Sequence, residues 1–345
     1  MSMPPMARRE PDGVREAPPA EVPAPRSCCA PGRDGHAHAP RAPSGAGTGI
    51  AGSLPPTLVE LPGGPFQMGA EDPLAYPADG EGPVHEIFLS PFQIDTHTVS
   101  NERFAAFVAS TGYVTDAERW GWSFVFGGLL PEDFPPTRAV AGAPWWRQVE
   151  GAQWRNPEGP HSELAGREDH PVVHVSHNDA LAYCGWAGVR LPSEAEWEFA
   201  ARGGLRGRAF PWGDELEPGG AHRMNVWQGE FPVRDTAADG HAGTAPVDSF
   251  APNGYGLHNV TGNVWEWTAD WFDPGWYRAS PRDDPSGPGA GSLRVTRGGS
   301  YLCHASYCRR YRVSARGANR PDDATGNIGF RVAADAAPVA SPARV

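Results

Sequence analysis

Apolar positions along this chain come in short bursts rather than long periodic runs. Residues 1–54 hold Pro, Ala, Gly and Arg with almost no aliphatic spacing, and read as a disordered tail. The texture changes at Leu58. Residues 58–61 and 65–69 predict a short strand pair joined by a Gly-Gly turn, and 84–89 and 92–94 predict two further strands. Ser100, followed by Asn-Glu-Arg-Phe-Ala-Ala-Phe-Val, predicts a capped helix. Residues 119–160, dense in Trp, Gly and Pro, read as irregular. A buried strand over 170–175 leads into a helix over 178–186. Ser193-Glu-Ala-Glu196 is a capping box, with Trp197, Phe199 and Ala200 in helical register behind it. Residues 208–292 carry many turn signals, and 294–297 and 330–333 read as late strands. The expectation is one α+β domain over residues 55–337 with low regular secondary structure, followed by a flexible C-terminus at 338–345.

Composition sharpens this. Gly and Pro number 43 and 38, so little of the chain is long helix, while 13 Trp supply large apolar surface for a core between ordered loops. A formal net charge of −12 argues against a nucleic-acid partner, whose backbone calls for a basic face. No apolar run reaches the length of a membrane span, and the first residues lack an apolar signal segment. A cytoplasmic monomer is the default expectation. Five cysteines are too few for a disulfide-stapled scaffold.

Two of those cysteines stand out. Cys303 and Cys308 lie five positions apart in a run of Ser, His, Tyr and Arg. Such a pair forms a disulfide, or two unrelated buried thiols, or a soft metal site; spacing alone leaves these open. A zinc site would need two more ligands, whereas Cu(I) needs only two sulfurs. Two oxygen-rich stretches, Asn259 to Glu266 and Asn225–Val226 with Asp239, suit either Ca²⁺ or ordinary Asx-turns.

The stretch RGGSYLCHASYC, with RYRVSARGANRPD and GNIGFRVAAD behind it, closely resembles the formylglycine-generating enzymes. The resemblance extends over most of the domain through RLPSEAEWEFAARGG and GNVWEW, pieces shared by a wider superfamily of C-type-lectin-like fold. It implies oxidation of a cysteine to Cα-formylglycine within Cys-x-Pro-x-Arg of a sulfatase polypeptide, with dioxygen as oxidant. It further implies Cu(I) on Cys303 and Cys308. Ser300, His304, Tyr307 and Asn327 match polar positions around that site, and Trp265 matches an aromatic wall. Structural Ca²⁺ is implied at Asn225, Val226, Asp239 and His241, and at Asn259, Gly262, Val264 and Glu266.

The chain also departs from its eukaryotic relatives. One of their disulfides uses the position of Cys184, but the partner position here is Val332. The second is replaced by Ala201 and Val313. Cys184 is then a buried apolar thiol, as fits a bacterial-type member. Thr98 and Trp122 stand where those relatives carry acids, so the substrate arginine needs other partners. Asp116, Glu118 and Glu150 are candidates, and Trp145, Trp146 and Trp154 wall a peptide groove or fill the core.

The tail holds Cys29-Ala-Pro31-Gly-Arg33, which itself matches Cys-x-Pro-x-Arg. In a segment so rich in Pro and Arg, chance is the default reading; the sharper one is a pseudosubstrate offered to the chain's own groove. Cys28 and Cys29 with His36 and His38 also form a weak metal-scavenging candidate. Two other functions compete with the cysteine oxidase. An iron-dependent sulfoxide synthase of the same superfamily would need an added N-terminal helical domain. A lectin-like binding module would have no use for paired thiols in a polar loop.

Overall fold

The computed structural model describes residues 30–33 and 56–336. Most of the segment read as a tail, and residues 337–345, lie outside the described residues. The chain forms β1 (Leu58–Leu61), β2 (Gly64–Met68), β3 (His85–Leu89), β4 (Phe92–Asp95), α1 (Asn101–Thr111), α2 (Asp116–Trp120), β5 (Trp122–Phe126), β6 (Ala139–Val140) and β7 (Ala143–Glu150). There follow α3 (His177–Ala187), α4 (Glu194–Ala201), β8 (Gly229–Glu230), β9 (Arg234–Asp235), β10 (Trp265–Trp271), β11 (Arg294–Arg297), β12 (Arg316–Asn319), β13 (Ile328–Phe330) and β14 (Ala333–Asp335). It is a mixed α+β domain of short elements, as expected. No helix among the described residues is long and apolar enough to cross a membrane.

The caps behave as the sequence implies. The Ser100 hydroxyl accepts from Arg103 N at the start of α1, and Gly112 ends that helix at φ 64. Capping boxes Ser176–Asp179 and Ser193–Glu196 start α3 and α4. These reciprocal bonds satisfy backbone donors that a helix of this length would otherwise leave open.

The strands depart from expectation in four places. β1 and β2 do not form a hairpin: β1 pairs antiparallel with β4, and β2 with β3. Residues 119–160 are not irregular, because β5 and β7 pair in register from Trp122↔Glu150 to Phe126↔Trp146. Residues 170–175 make only a bridge at Pro171 to Ser100, and His174 sits at φ 57. Within 208–292 runs β10, centred between β11 and β13 in a four-stranded sheet of order β12-β11-β10-β13. A strand buried on both faces shows no apolar–polar alternation, and β10 is buried at five of its first six positions.

Trp146, Trp154, Trp197, Trp265 and Trp267 are all fully buried and anchor the apolar clusters. Between α4 and the last strands lies a charged layer. Glu194 accepts from Arg297 at 3.1 Å and from Arg316 at 2.6 Å, and Glu198 accepts from Arg202 and Arg297. Arg331 forks onto Glu266 at 2.9 Å on both oxygens, and Arg312 forks onto Glu81 at 2.6 and 2.7 Å. This layer ties the loop before β3, α4 and β10–β13 into one frame and fixes where the 298–312 loop can run.

Candidate active site

Gly298 and Gly299, at φ 91 and 74, turn the chain out of β11 into the loop bearing both cysteines. A Cβ at Gly299 would meet the Arg310 carbonyl at 2.9 Å, so the two ends of that loop close directly on each other. Cys303 and Cys308 come to lie with their sulfurs 3.4 Å apart, both wholly buried. A disulfide needs about 2.05 Å, so the two are not bonded to each other. Cys303 is not in a disulfide, whereas Cys308 is in one.

The surroundings divide the expected residues into two groups. Ser300, Asn327 and Trp265 are joined. Asn327 Nδ2 donates to Ser300 Oγ at 3.0 Å, Thr325 Oγ1 donates to Asn327 Oδ1 at 2.6 Å, and Ser300 N reaches Cys303 Sγ at 3.4 Å. Trp265 N donates to the Asn327 carbonyl, because β10 runs parallel to β13 from Trp265↔Ile328. Its indole Nε1 is buried without a hydrogen-bond partner. Tyr307 and His304 lie on the outer side of the loop. The Tyr307 ring stacks on Phe231 at 4.4 Å and meets Trp145 edge-on at 4.9 Å, while the His304 ring is engaged by Ser306 Oγ at 2.8 Å. Of the three candidate groove tryptophans, Trp146 and Trp154 belong to the core and only Trp145 faces this loop.

The sequence reading missed Arg310. Its Nη1 lies 3.8 Å from Cys308 Sγ, and Asp79 and the Tyr76 ring hold the guanidinium in place. A fixed cation beside a sulfur favours its thiolate. The only available signal was adjacency to Cys308, and the Asp79 anchor is 231 positions away.

Cys184 packs in the cluster that also holds Val332, while Ala201 and Val313 pack together in another. Apolar packing thus surrounds the positions of both crosslinks that this chain was expected to lack. Burial pushes the Cys184 thiol up to about 12. At mildly alkaline pH its thiolate population is lowered about a thousandfold from that of an ordinary thiol. Native protein treated with iodoacetamide should therefore leave Cys184 unmodified while denatured protein labels it; rapid native labelling would contradict this burial.

The oxygen-rich stretches fit Ca²⁺ in part. Asn259 Oδ1 is buried and has no hydrogen-bond partner, as a missing cation would leave it. Asp239 accepts Val226 N and His241 N, and burial raises its carboxyl. The Asn225 amide donates to the Gly243 carbonyl, so its orientation is fixed with its oxygen spare. The Glu266 side chain does not fit: Arg331 and Trp197 already engage its oxygens, and a guanidinium repels a neighbouring divalent cation. Among the described residues no three His, Cys, Asp or Glu side chains gather as a metal cluster.

A second feature adjoins the thiols. Ala30, Pro31 and Arg33 are packed rather than solvated, while Gly32 stays exposed; Arg33 is 3% exposed. Its guanidinium donates to the carbonyls of Asp322 at 2.7 Å and Trp122 at 2.9 Å and lies over the Trp122 ring at 4.8 Å. Thus Asp322, Asp323 and the Trp122 ring surround an arginine here. Asp116 and Glu118 are instead committed to Arg119 and to the Thr115 cap, and Glu150 is exposed. Thr98 is buried.

Residues 51–336 match the family model described as sulfatase-modifying factor enzyme 1-like domain. A curated formylglycine-generating enzyme of Thermomonospora curvata is 61% identical over 282 residues, covering 81% of this chain and 93% of that protein. Its counterpart in Streptomyces coelicolor is also 61% identical, over 81% of this chain and 89% of that one. Among solved structures, PvdO from Pseudomonas aeruginosa superposes with a TM-score of 0.57 at 28% identity, covering 81% of this chain and 94% of that chain.

Proposed function

Since the chain belongs to the family of the formylglycine-generating enzymes, we propose that it oxidises the cysteine of a Cys-x-Pro-x-Arg motif in a sulfatase to Cα-formylglycine, with Cu(I) on Cys303 and Cys308 and dioxygen as oxidant. The observation that carries this is the pair of buried sulfurs 3.4 Å apart in a loop otherwise lined by hydroxyl, amide and guanidinium groups. Two adjacent sulfurs are a soft donor set and fit Cu(I) once Cys308 is reduced. The metal, when bound, supplies electron transfer to dioxygen.

The chain's own side chains account for the rest. Arg310 favours the Cys308 thiolate. Ser300 Oγ accepts from Asn327 Nδ2 and from Leu302 N, so its hydroxyl proton is left to donate into the site. Trp265 Nε1 is a second donor there. Both sulfurs are wholly buried in an apolar cluster that includes Trp265 and Tyr311, which limits water. The substrate loses one hydrogen from Cβ and one from sulfur, giving a thioaldehyde; dioxygen takes the two electrons and two protons and leaves as hydrogen peroxide. Water then replaces sulfur at that carbon, releasing hydrogen sulfide and leaving the aldehyde. Ca²⁺ on Asn225, Asp239 and Asn259, with neighbouring carbonyls, would hold the loops over residues 225–264 in order.

The test is direct. Reduced protein, Cu(I), air and the peptide Leu-Cys-Thr-Pro-Ser-Arg should give a product lighter by about 18 mass units, the replacement of thiol by aldehyde. Unmodified peptide after confirmed copper loading would overturn the proposal.

A further inference from the structure

The four residues that the structure describes from the N-terminal segment pack against Trp122 and residues 319–323 of the same molecule. Ala30 is buried in the apolar cluster that contains Cys303 and Cys308. Its carbonyl accepts from Asn319 Nδ2 at 3.0 Å. Gly32 lies so close to Asp323 that a Cβ there would meet Oδ2 at 2.8 Å. Arg33 N donates to Asp323 Oδ1 at 2.7 Å, and the Arg33 carbonyl accepts from Arg320 Nη1 at 3.4 Å. Both ends of the segment are therefore tied through their main-chain groups, with Gly32 lying against the Asp323 carboxylate between them.

Arg33 carries the strongest argument. Burying a guanidinium costs several kcal/mol unless its surroundings compensate. Here burial still holds the guanidinium below its ordinary value, but two backbone carbonyls, two indole rings at 4.8 and 5.8 Å and the neighbouring Asp322 and Asp323 offset much of that cost. The surroundings thus suit an arginine.

Its distance from the thiols is also defined by chain length. β5 starts at Trp122 in the arginine pocket, and Phe124 bridges Thr325, with Gly326 N donating to the Phe124 carbonyl. From Asp323 the chain reaches Asn327, which holds Ser300 beside Cys303. Those four residues span at most about 14 Å. From Arg33 back to Cys29 is the same number of residues. An arginine seated on Asp322 and Trp122 thus places a cysteine four residues earlier within reach of the sulfur pair.

We propose that residues 30–33 act as an intramolecular pseudosubstrate, seated where a substrate's Pro-x-Arg would sit and displaced by an incoming Cys-x-Pro-x-Arg chain. The inference rests on the function proposed above for this site and adds its regulation. Being covalently tethered, the segment competes at a high effective concentration, so it weakens the apparent affinity for external peptide without altering the chemical step.

The test uses full-length protein, reduced so that the Cys308 disulfide is open, and a fluorescent peptide Leu-Ser-Thr-Pro-Ser-Arg, whose serine removes thiol chemistry. Arg33→Ala should bind it about tenfold more tightly than the wild type, with Arg33→Lys between them. Saturating peptide should also speed amide hydrogen exchange of residues 30–33 in the wild type. Equal affinities, unchanged exchange, or a peptide that binds neither protein would overturn the pseudosubstrate. So would conversion of Cys29 itself to an aldehyde, which would make the segment a substrate. The function is read separately, from aldehyde formation on the cysteine peptide. Displacement without any aldehyde would sink the oxidase and leave groove occupancy standing.

Discussion

Cys303→Ser is expected to abolish aldehyde formation and copper retention together while leaving the fold in place. Serine fits the cavity of a fully buried cysteine, and the backbone bonds of the loop, Cys303 N to the Ser300 carbonyl and Trp227 N to the Cys303 carbonyl, do not involve the sulfur. What is lost is one of two soft donors. Removing even a supporting partner of a metal ligand costs about 10–100-fold; removing a ligand from a two-sulfur site should exceed that. The check combines product mass, copper stoichiometry after gel filtration and a thermal melt. A serine variant that still retains copper one-to-one and forms aldehyde would exclude Cys303 as a ligand. Cys308→Ser should match it in copper loss.

Glu198→Gln should give the largest loss of stability. Glu198 is fully buried and neutralises Arg202 and Arg297 while accepting Gly69 N. Breaking a buried pair by removing one partner costs about 3–5 kcal/mol, because the remaining charge stays in a dry site. For a domain of this size that is a fall of roughly 10 °C in melting temperature. Asp335→Ala, which cuts an exposed pair with Arg190, should cost no more than about 1 kcal/mol. Burial pushes the Glu198 carboxyl up, but Arg202 and Arg297 overcome it and hold it below its ordinary value. A depressed carboxyl stabilises the fold fully above its unfolded pKa, and the contribution fades as pH falls through the folded value. Glu198→Gln should therefore be less stable than the wild type at neutral pH and converge on it in acid. A variant melting within a degree of wild type at neutral pH would disprove the arrangement.

Local rules made the helices legible. Ser100 and Ser193 each announce a start through a side chain three positions from its partner, whereas the Ser176 and Thr115 boxes of the same form went unread. The sulfur pair was legible for the same reason, its members being near neighbours in sequence. β10 was hidden because burial on both faces erases alternation, and β5 and β7 because tryptophan, glycine and proline crowd them. The contacts of Arg33 were not legible. Acids at Asp116, Glu118 and Glu150 were candidates for a substrate arginine, whereas Arg33 rests on two backbone carbonyls and the Trp122 ring, and carbonyls leave no trace in a sequence. Trp122, noted as a lost acid, turned out to be a platform for the charge.

The charged layer between α4 and the last strands also bears on how the chain is made. Arg312 meets Glu81 across 231 positions, and Arg316 meets Glu194 across 122. During translation, carboxylates at 79, 81 and 194 emerge long before the arginines that neutralise them. Until residues 297–331 have left the ribosome, the nascent domain holds acids and tryptophans that cannot yet be buried together. Contacts of such separation slow folding and leave the unfinished chain open to aggregation. Productive folding is thus a late, concerted event, and C-terminal truncation before residue 331 should give a chaperone client rather than a smaller enzyme.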